Sequence, residues 1–239
     1  MQFKRLLQYK NITHCYTLKQ NLNFKGISGN KNESIEKICQ ELELDKSKFI
    51  IAEQDHTRNI AVINNGKEDL EDIDGLITNK KGFALASKSA DCTSLLMYDP
   101  VKNAIASIHS GWRGTIKKIA VEAVNKMVYT YGSNPTDIIC CICPSIRKCH
   151  FEVDEDVKEL FVKNFKYEEI IEKGKIIEGK QKYYIDTTKI NTQLLKNSGL
   201  KEENIIDCGL CTVCNNEDFH SYRADKPKYG LNVAIIALK

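Results

Sequence analysis

The sequence predicts an α+β fold in a single domain spanning residues 1–239, on three observations. Strand-like runs crowd the first half of the chain and mix with helices in the second, an irregular order unlike a regular βαβ winding. No internal repeat, low-complexity linker or proline-rich hinge divides the chain. Its 239 residues are enough to bury a substantial core as one large domain.

The opening residues to Phe24 read as one or two short edge strands. Asn32 or Ser34 is placed to cap a helix reaching about Leu44, with Ile35, Ile38, Cys39 and Leu42 on one face at helical spacing. FIIAEQ (49–54) and NIAVIN (59–64) are β-branched runs flanking Asp55-His56-Thr57-Arg58. A charged loop, 66–74, precedes DGLITN. GFALASKSA and SLLMYD then read as buried strands closed by Asp99-Pro100, and NAIASIH as another. Thr115 is predicted to open the clearest helix. Its apolar stripe, Ile116, Ile119, Ala120, Ala123, Val124, Met127 and Val128, ends near Tyr131-Gly132. The turn Ser133-Asn134-Pro135 leads to a strand, DIICCIC. A helix over about 154–165 would gather Val157, Leu160, Phe161 and Phe165. Another spans 187–197, with Asp186 as N-cap and Gly199 beyond its end. NIID, a cysteine-rich loop and the apolar strand LNVAIIAL close the chain.

Composition narrows the function classes. The chain is 42% hydrophobic and 28% charged, ordinary for a globular protein. Its net charge of +3 comes from interspersed Lys and Asp/Glu, which argues against a nucleic-acid partner. MQFKRLLQYK is basic without an apolar stretch behind it, so no secretory signal is expected. No apolar run approaches the roughly 20 residues of a membrane span, so no membrane partner and a cytoplasmic location are expected. Ten cysteines in such a chain read as thiols or ligands rather than a disulfide framework. Nothing in the sequence indicates an oligomeric state.

The chemistry-bearing residues centre on 89–115, SADCTSLLMYDPVKNAIASIHSGWRGT. Cys92 precedes one strand-like run, His109 ends the next, and His56 follows FIIAEQ upstream. Two imidazoles and a thiolate suit zinc, and three protein ligands leave one coordination position for chemistry. Such a metal lowers the pKa of a bound water towards neutrality. The plain alternative is a pair of satisfied core histidines. Within HSGWRGT, glycines permit a tight turn and Arg113 adds a forked cation, so a phosphate could sit at the following helix. The turn is equally readable as a packed strand-to-helix junction. Cys208, Cys211 and Cys214 in CGLCTVC could hold zinc or iron–sulfur with Cys143 or Cys149 as a fourth ligand. Free thiols are the simpler account. In SYRAD, Tyr222, Arg223 and Asp225 could face a ligand or form a surface turn. Cys92 with either histidine could also make a metal-free thiolate nucleophile.

QDH around His56, DGLITN, SADC, HSGWRG, CPSIRKCHFEV, YIDTTKINTQLL and CTVCNNEDFHSYRAD together resemble the YfiH-type laccase-domain family, in order from Phe49 to the end. The resemblance implies a four-layer α/β/β/α domain with mixed sheets. It also implies zinc, or copper, on His56, Cys92 and His109. The implied activity is that of a purine nucleoside enzyme. It covers phosphorolysis of adenosine, inosine, guanosine or methylthioadenosine, and adenosine deamination. Cys92 and His109 are then the catalytic candidates, and Arg113 and Arg223 the contacts for nucleoside and phosphate. Two other activities proposed within the family are amide hydrolysis of a cell-wall nucleotide-peptide precursor and copper-dependent phenol oxidation. The chain departs from the family near its start. THCYTLKQNLNF replaces an Arg-x-Gly-Gly-Val-Ser segment, with Lys19 about where the arginine would stand. This weighs against phosphorolysis more than against deamination. A type-1 copper site plus a trinuclear cluster needs more histidines than the five present, which argues against a true laccase.

Overall fold

The computed structural model describes residues 1–20, 22–26, 30–166 and 168–239. The chain runs β1 (Ile12–Tyr16), α1 (Asn30–Glu41), β2 (Phe49–Ile51), β3 (Ile60–Val62), β4 (Gly75–Thr78) and β5 (Ala84–Ser89). β6 (Thr93–Asp99), β7 (Ala104–Ser110), α2 (Trp112–Ile116), α3 (Ile119–Tyr131) and β8 (Ile139–Ile142) follow. β9 (Glu152–Val153), α4 (Glu155–Asn164), β10 (Ile171–Ile177), β11 (Lys180–Ile185) and α5 (Thr187–Asn197) come next. β12 (Ile205–Asp207), α6 (Tyr222–Asp225) and β13 (Asn232–Leu238) complete the fold.

Two mixed sheets pack face to face. One has the order β1-β13-β5-β2, the other β12-β8-β6-β7-β4-β3, and β10-β11-β9 form a small third sheet. Period-two alternation explains the layering. Leu85 and Ile236 of the four-stranded sheet point inward, against Leu96, Ile105 and Cys141 of the six-stranded one. Ala84, Ala86 and Ile235 point outward, against Ile35, Ile38 and Cys39 of α1. On the far side, Leu95, Ile108 and Ile142 meet Ile119, Ala123 and Met127 of α3 and Leu195 of α5. The order is therefore helix, sheet, sheet, helices. Every residue of β6, β7, β8 and β13 is buried, which is why those runs show no solvated polar face.

Several elements match their predicted bounds, α5 most closely: it spans Thr187–Asn197, with Asp186 accepting from the Lys189 N–H. Four expectations need correction. α1 starts at Asn30, ahead of Asn32 and Ser34. The Ser34 hydroxyl instead donates to the Asn23 carbonyl and accepts from the Asn23 N–H. The helix expected from Thr115 is two helices, broken where Lys118 takes a left-handed φ of 60°. The break lets Trp112 and Ile116 pack with Phe161 and Phe165, while Ile119 to Met127 pack on the six-stranded sheet. Leu160 is exposed, although Phe161 and Phe165 are buried as expected. The β10–β11 hairpin is not foreseen, because β10 is mostly exposed and neither strand opens on an apolar run.

Candidate metal centre and active site

The site lies at the seam between the two large sheets. Residues 52–59 leave β2 of the four-stranded sheet and enter β3 of the six-stranded one, carrying His56 across. Residues 90–92 make the same crossing from β5 to β6, carrying Cys92. His109 is the penultimate residue of β7, directly opposite Ser94 of β6. Ligand atoms of the three residues all lie within 4.8 Å of one another. Cys92 Sγ is 3.7 Å from His56 Nε2, and the two imidazole rings stand nearly perpendicular with centroids 4.9 Å apart.

One carboxylate orients this constellation. Asp74, buried at the start of β4, accepts from His109 Nδ1 at 2.7 Å, leaving the other ring nitrogen for the cluster. It also accepts from the His56 N–H at 3.1 Å, the Thr57 N–H at 2.7 Å and the Thr57 hydroxyl at 2.8 Å. These bonds hold His56 in a left-handed conformation, φ 59°, that a side chain bearing Cβ adopts only under constraint. Gly111 supplies the remaining room. A Cβ there would sit 2.7 Å from His56 Cδ2 and 3.0 Å from Cys92 Sγ.

Electrostatics follow from the geometry. Burial alone would raise the Cys92 thiol; the His109 charge and hydrogen bonds from both histidines outweigh it and bring the thiol down to about 6. Burial would lower His109, but Cys92 and Asp74 push it up to about 9. Burial opposes ionisation of Asp74, yet bonds from His109 and Thr57 hold its carboxyl well below the usual range. The donor set and spacing fit one metal ion. A tetrahedral zinc with bonds of about 2.3 Å to sulfur and 2.0–2.1 Å to nitrogen would separate those two atoms by about 3.6 Å; the observed separation is 3.7 Å.

The cluster opens into a cavity of about 630 Å³. Arg113 and Arg223 both line it, and so does Lys88. The Arg113 guanidinium lies 4.1 Å from the Trp112 ring centroid. Arg223 is tied down, donating to the His150 carbonyl at 2.8 Å and the Glu152 carbonyl at 3.0 Å, acceptors that leave its charge in place. The helix that follows the HSGWRGT turn, α2, has five residues, Trp112–Ile116, with Gly111 at its N-cap. Lys19 pairs with Asp225 at 2.9 Å. Asp91, beside Cys92, accepts from the Thr212 hydroxyl at 2.6 Å and the Arg223 N–H at 2.7 Å.

Asp74, Lys88 and Asp91 were not singled out from the sequence. Asp74 sat in view as the Asp-Gly before a strand, but the partnership with His109 is long-range. The expected cysteine grouping also changes. Cys143 is buried in the core and Cys208 lies 3.5 Å from the Arg147 guanidinium. Cys211 and Cys214 instead meet Cys149 and His150.

Residues 17–239 match the family described as multi-copper polyphenol oxidoreductase laccase. The purine nucleoside phosphorylase YlmD of Bacillus subtilis is 33% identical over 213 residues, 85% of this chain and 76% of that protein. The mouse purine nucleoside phosphorylase LACC1 is 29% identical over 218 residues, 87% of this chain but 47% of that protein, so the chain spans about half its length. Adenosine deaminase RL5, from an unknown prokaryotic organism, is 28% identical over 196 residues, 78% of this chain and 73% of its own. The crystal structure of Bacillus licheniformis YfiH superposes with a TM-score of 0.89 at 28% identity, covering 99% of this chain and 95% of the other. The chain belongs to this laccase-like YfiH family.

Proposed function

We propose that the chain is a metal-dependent purine nucleoside enzyme, acting by phosphorolysis of adenosine, inosine, guanosine or methylthioadenosine and by deamination of adenosine. The carrying observation is the convergence of His56, Cys92 and His109 on one point at the floor of a cavity lined by cations. The names of the similar proteins YlmD, LACC1 and RL5, purine nucleoside phosphorylases and an adenosine deaminase, support a purine nucleoside as substrate.

His56, Cys92 and His109 would hold zinc or copper, which when bound supplies a Lewis acid beside the substrate. Asp74 keeps the His109 ring in one orientation and one tautomer. Arg113, Arg223 and Lys88 draw phosphate into the cavity and hold its negative charge. In phosphorolysis a phosphate oxygen bonds to the sugar C1′ while the C–N bond breaks, and the purine leaves with the electron pair and gains a proton. In deamination water adds at C6 and ammonia departs. Phe151, Tyr222 and Tyr229, also on the cavity wall, offer faces for a purine ring. Lys19 does not replace the family's arginine as a free anion contact, because Asp225 engages it.

Chromatography of zinc-loaded protein incubated with adenosine, with and without phosphate, tests the reading. Adenine appearing only with phosphate reports phosphorolysis, and inosine reports deamination. Absence of all turnover at full metal loading would overturn it. A second reading, a Cys–His amidase, is favoured by the lowered Cys92 thiol beside the raised His109. It requires activity that survives chelation and is lost on alkylation of Cys92.

A further inference from the structure

A second group of soft ligands sits on the loops that wall the cavity. Cys149 and His150 lie on the loop between β8 and β9, and Cys211 and Cys214 on the loop between β12 and α6. Among the described residues, theirs and the pocket triad are the two groups whose ligand atoms gather within 4.8 Å. His150 Nδ1 faces all three sulfurs: Cys149 at 3.2 Å, Cys214 at 3.5 Å and Cys211 at 3.7 Å. Cys149 and Cys214 are 3.8 Å apart, sulfur to sulfur.

A tetrahedral zinc would set sulfur–sulfur edges of about 3.8 Å and sulfur–nitrogen edges of about 3.6 Å. Three of the four measured separations fall within about 0.1 Å of those values, and the fourth, Cys149 to His150, is shorter. One imidazole nitrogen cannot satisfy three thiols with hydrogen bonds, whereas one cation satisfies all four groups at once. The pair Cys211-x-x-Cys214 also has the spacing of a zinc knuckle.

We propose that Cys149, His150, Cys211 and Cys214 form a closed structural zinc site that clips the loop after β8 to the loop before α6. With four protein ligands it keeps no position for substrate. Its role is positional. The same two loops carry the Ile146 N–H that donates to the Asp91 carbonyl at 2.8 Å and the Thr212 hydroxyl that donates to the Asp91 carboxylate. They also carry the His150 carbonyl that accepts from Arg223. The clip thus fixes Asp91, the neighbour of Cys92, and one cation of the cavity.

The Cys92→Ser protein isolates this site, since its pocket has lost its only sulfur. Purified under reducing conditions and desalted, it is expected to retain one zinc per chain by elemental analysis. Cobalt exchanged for that zinc should give thiolate-to-cobalt charge-transfer absorption, lost in Cys92→Ser/Cys211→Ser. A second measurement uses the unmodified chain: zinc should slow alkylation of the exposed Cys149 and Cys214 by at least about tenfold relative to chelated protein. Folded Cys92→Ser without zinc or charge-transfer absorption would overturn the proposal. So would a Cys149–Cys214 disulfide in reduced preparations, or alkylation rates indifferent to chelator. If the double variant does not fold, the cobalt spectrum of Cys92→Ser and the alkylation rates decide. The metal difference between the unmodified chain and Cys92→Ser reports on the pocket alone, so the two sites can fail separately.

Discussion

The cavity cluster and the loop cluster use the same two kinds of donor in different numbers and settings. His56, Cys92 and His109 stand on a strand end and two sheet crossings, face a cavity of about 630 Å³ and are braced by a buried carboxylate. Cys149, His150, Cys211 and Cys214 stand on loops, and Cys149 and Cys214 are exposed. Donor type therefore says which metals a site suits. Donor count, and whether a cavity adjoins it, says whether chemistry can happen there.

The contrast breaks most visibly if one substitution in each cluster has the same effect. Cys92→Ser should cut turnover by about a thousandfold or more, while with chelator present its melting temperature should match that of the chelated unmodified chain; paired kinetics and calorimetry check both halves. Asp74→Asn should keep the three ligands but weaken pocket metal affinity by about 10–100-fold, read by competition with a chelating dye. The loop cluster should hold its metal unchanged in that variant. Cys211→Ser should do the reverse. Losing a cross-link worth about 2–4 kcal/mol at about 2–4 °C per kcal/mol lowers the melting temperature by roughly 5–15 °C, with kcat of the folded fraction changed much less.

Acidity separates the clusters more finely. In metal-free protein the Cys92 thiol lies near 6, so its alkylation should rise with pH through about 6 and level off by pH 7. Burial first, then Cys211 and Cys214, push Cys149 up to about 12, so its alkylation should still be climbing at pH 9. Peptide mass spectrometry across pH 5–9 reads both, and coincident profiles would erase the distinction.

Local signals made the strands legible. Runs such as SLLMYD and LNVAIIAL are buried on both faces, and α5 announces itself through Asp186 and Gly199. The β10–β11 hairpin was missed for a physical reason. Lysines in its strands neighbour Glu, Gly and Gln rather than alternating with apolar residues, and the usable cue is only Glu178-Gly179, both with positive φ, in the turn. The break at Lys118 has no local cue, because it answers to two separate apolar clusters. At the site, the pocket triad was legible through family resemblance, whereas Asp74 was not, since its partnership with His109 spans 35 residues. His150 carries no spacing cue toward Cys211 and Cys214, and only the folded loops bring its imidazole to that corner.

His56 and Cys92 ride on the two segments that pass between the sheets, whereas His109 and its carboxylate partner Asp74 belong to the six-stranded one. Any slip of one sheet over the other would therefore pull two donors away from the third, so the spacing of this cluster reports sheet alignment.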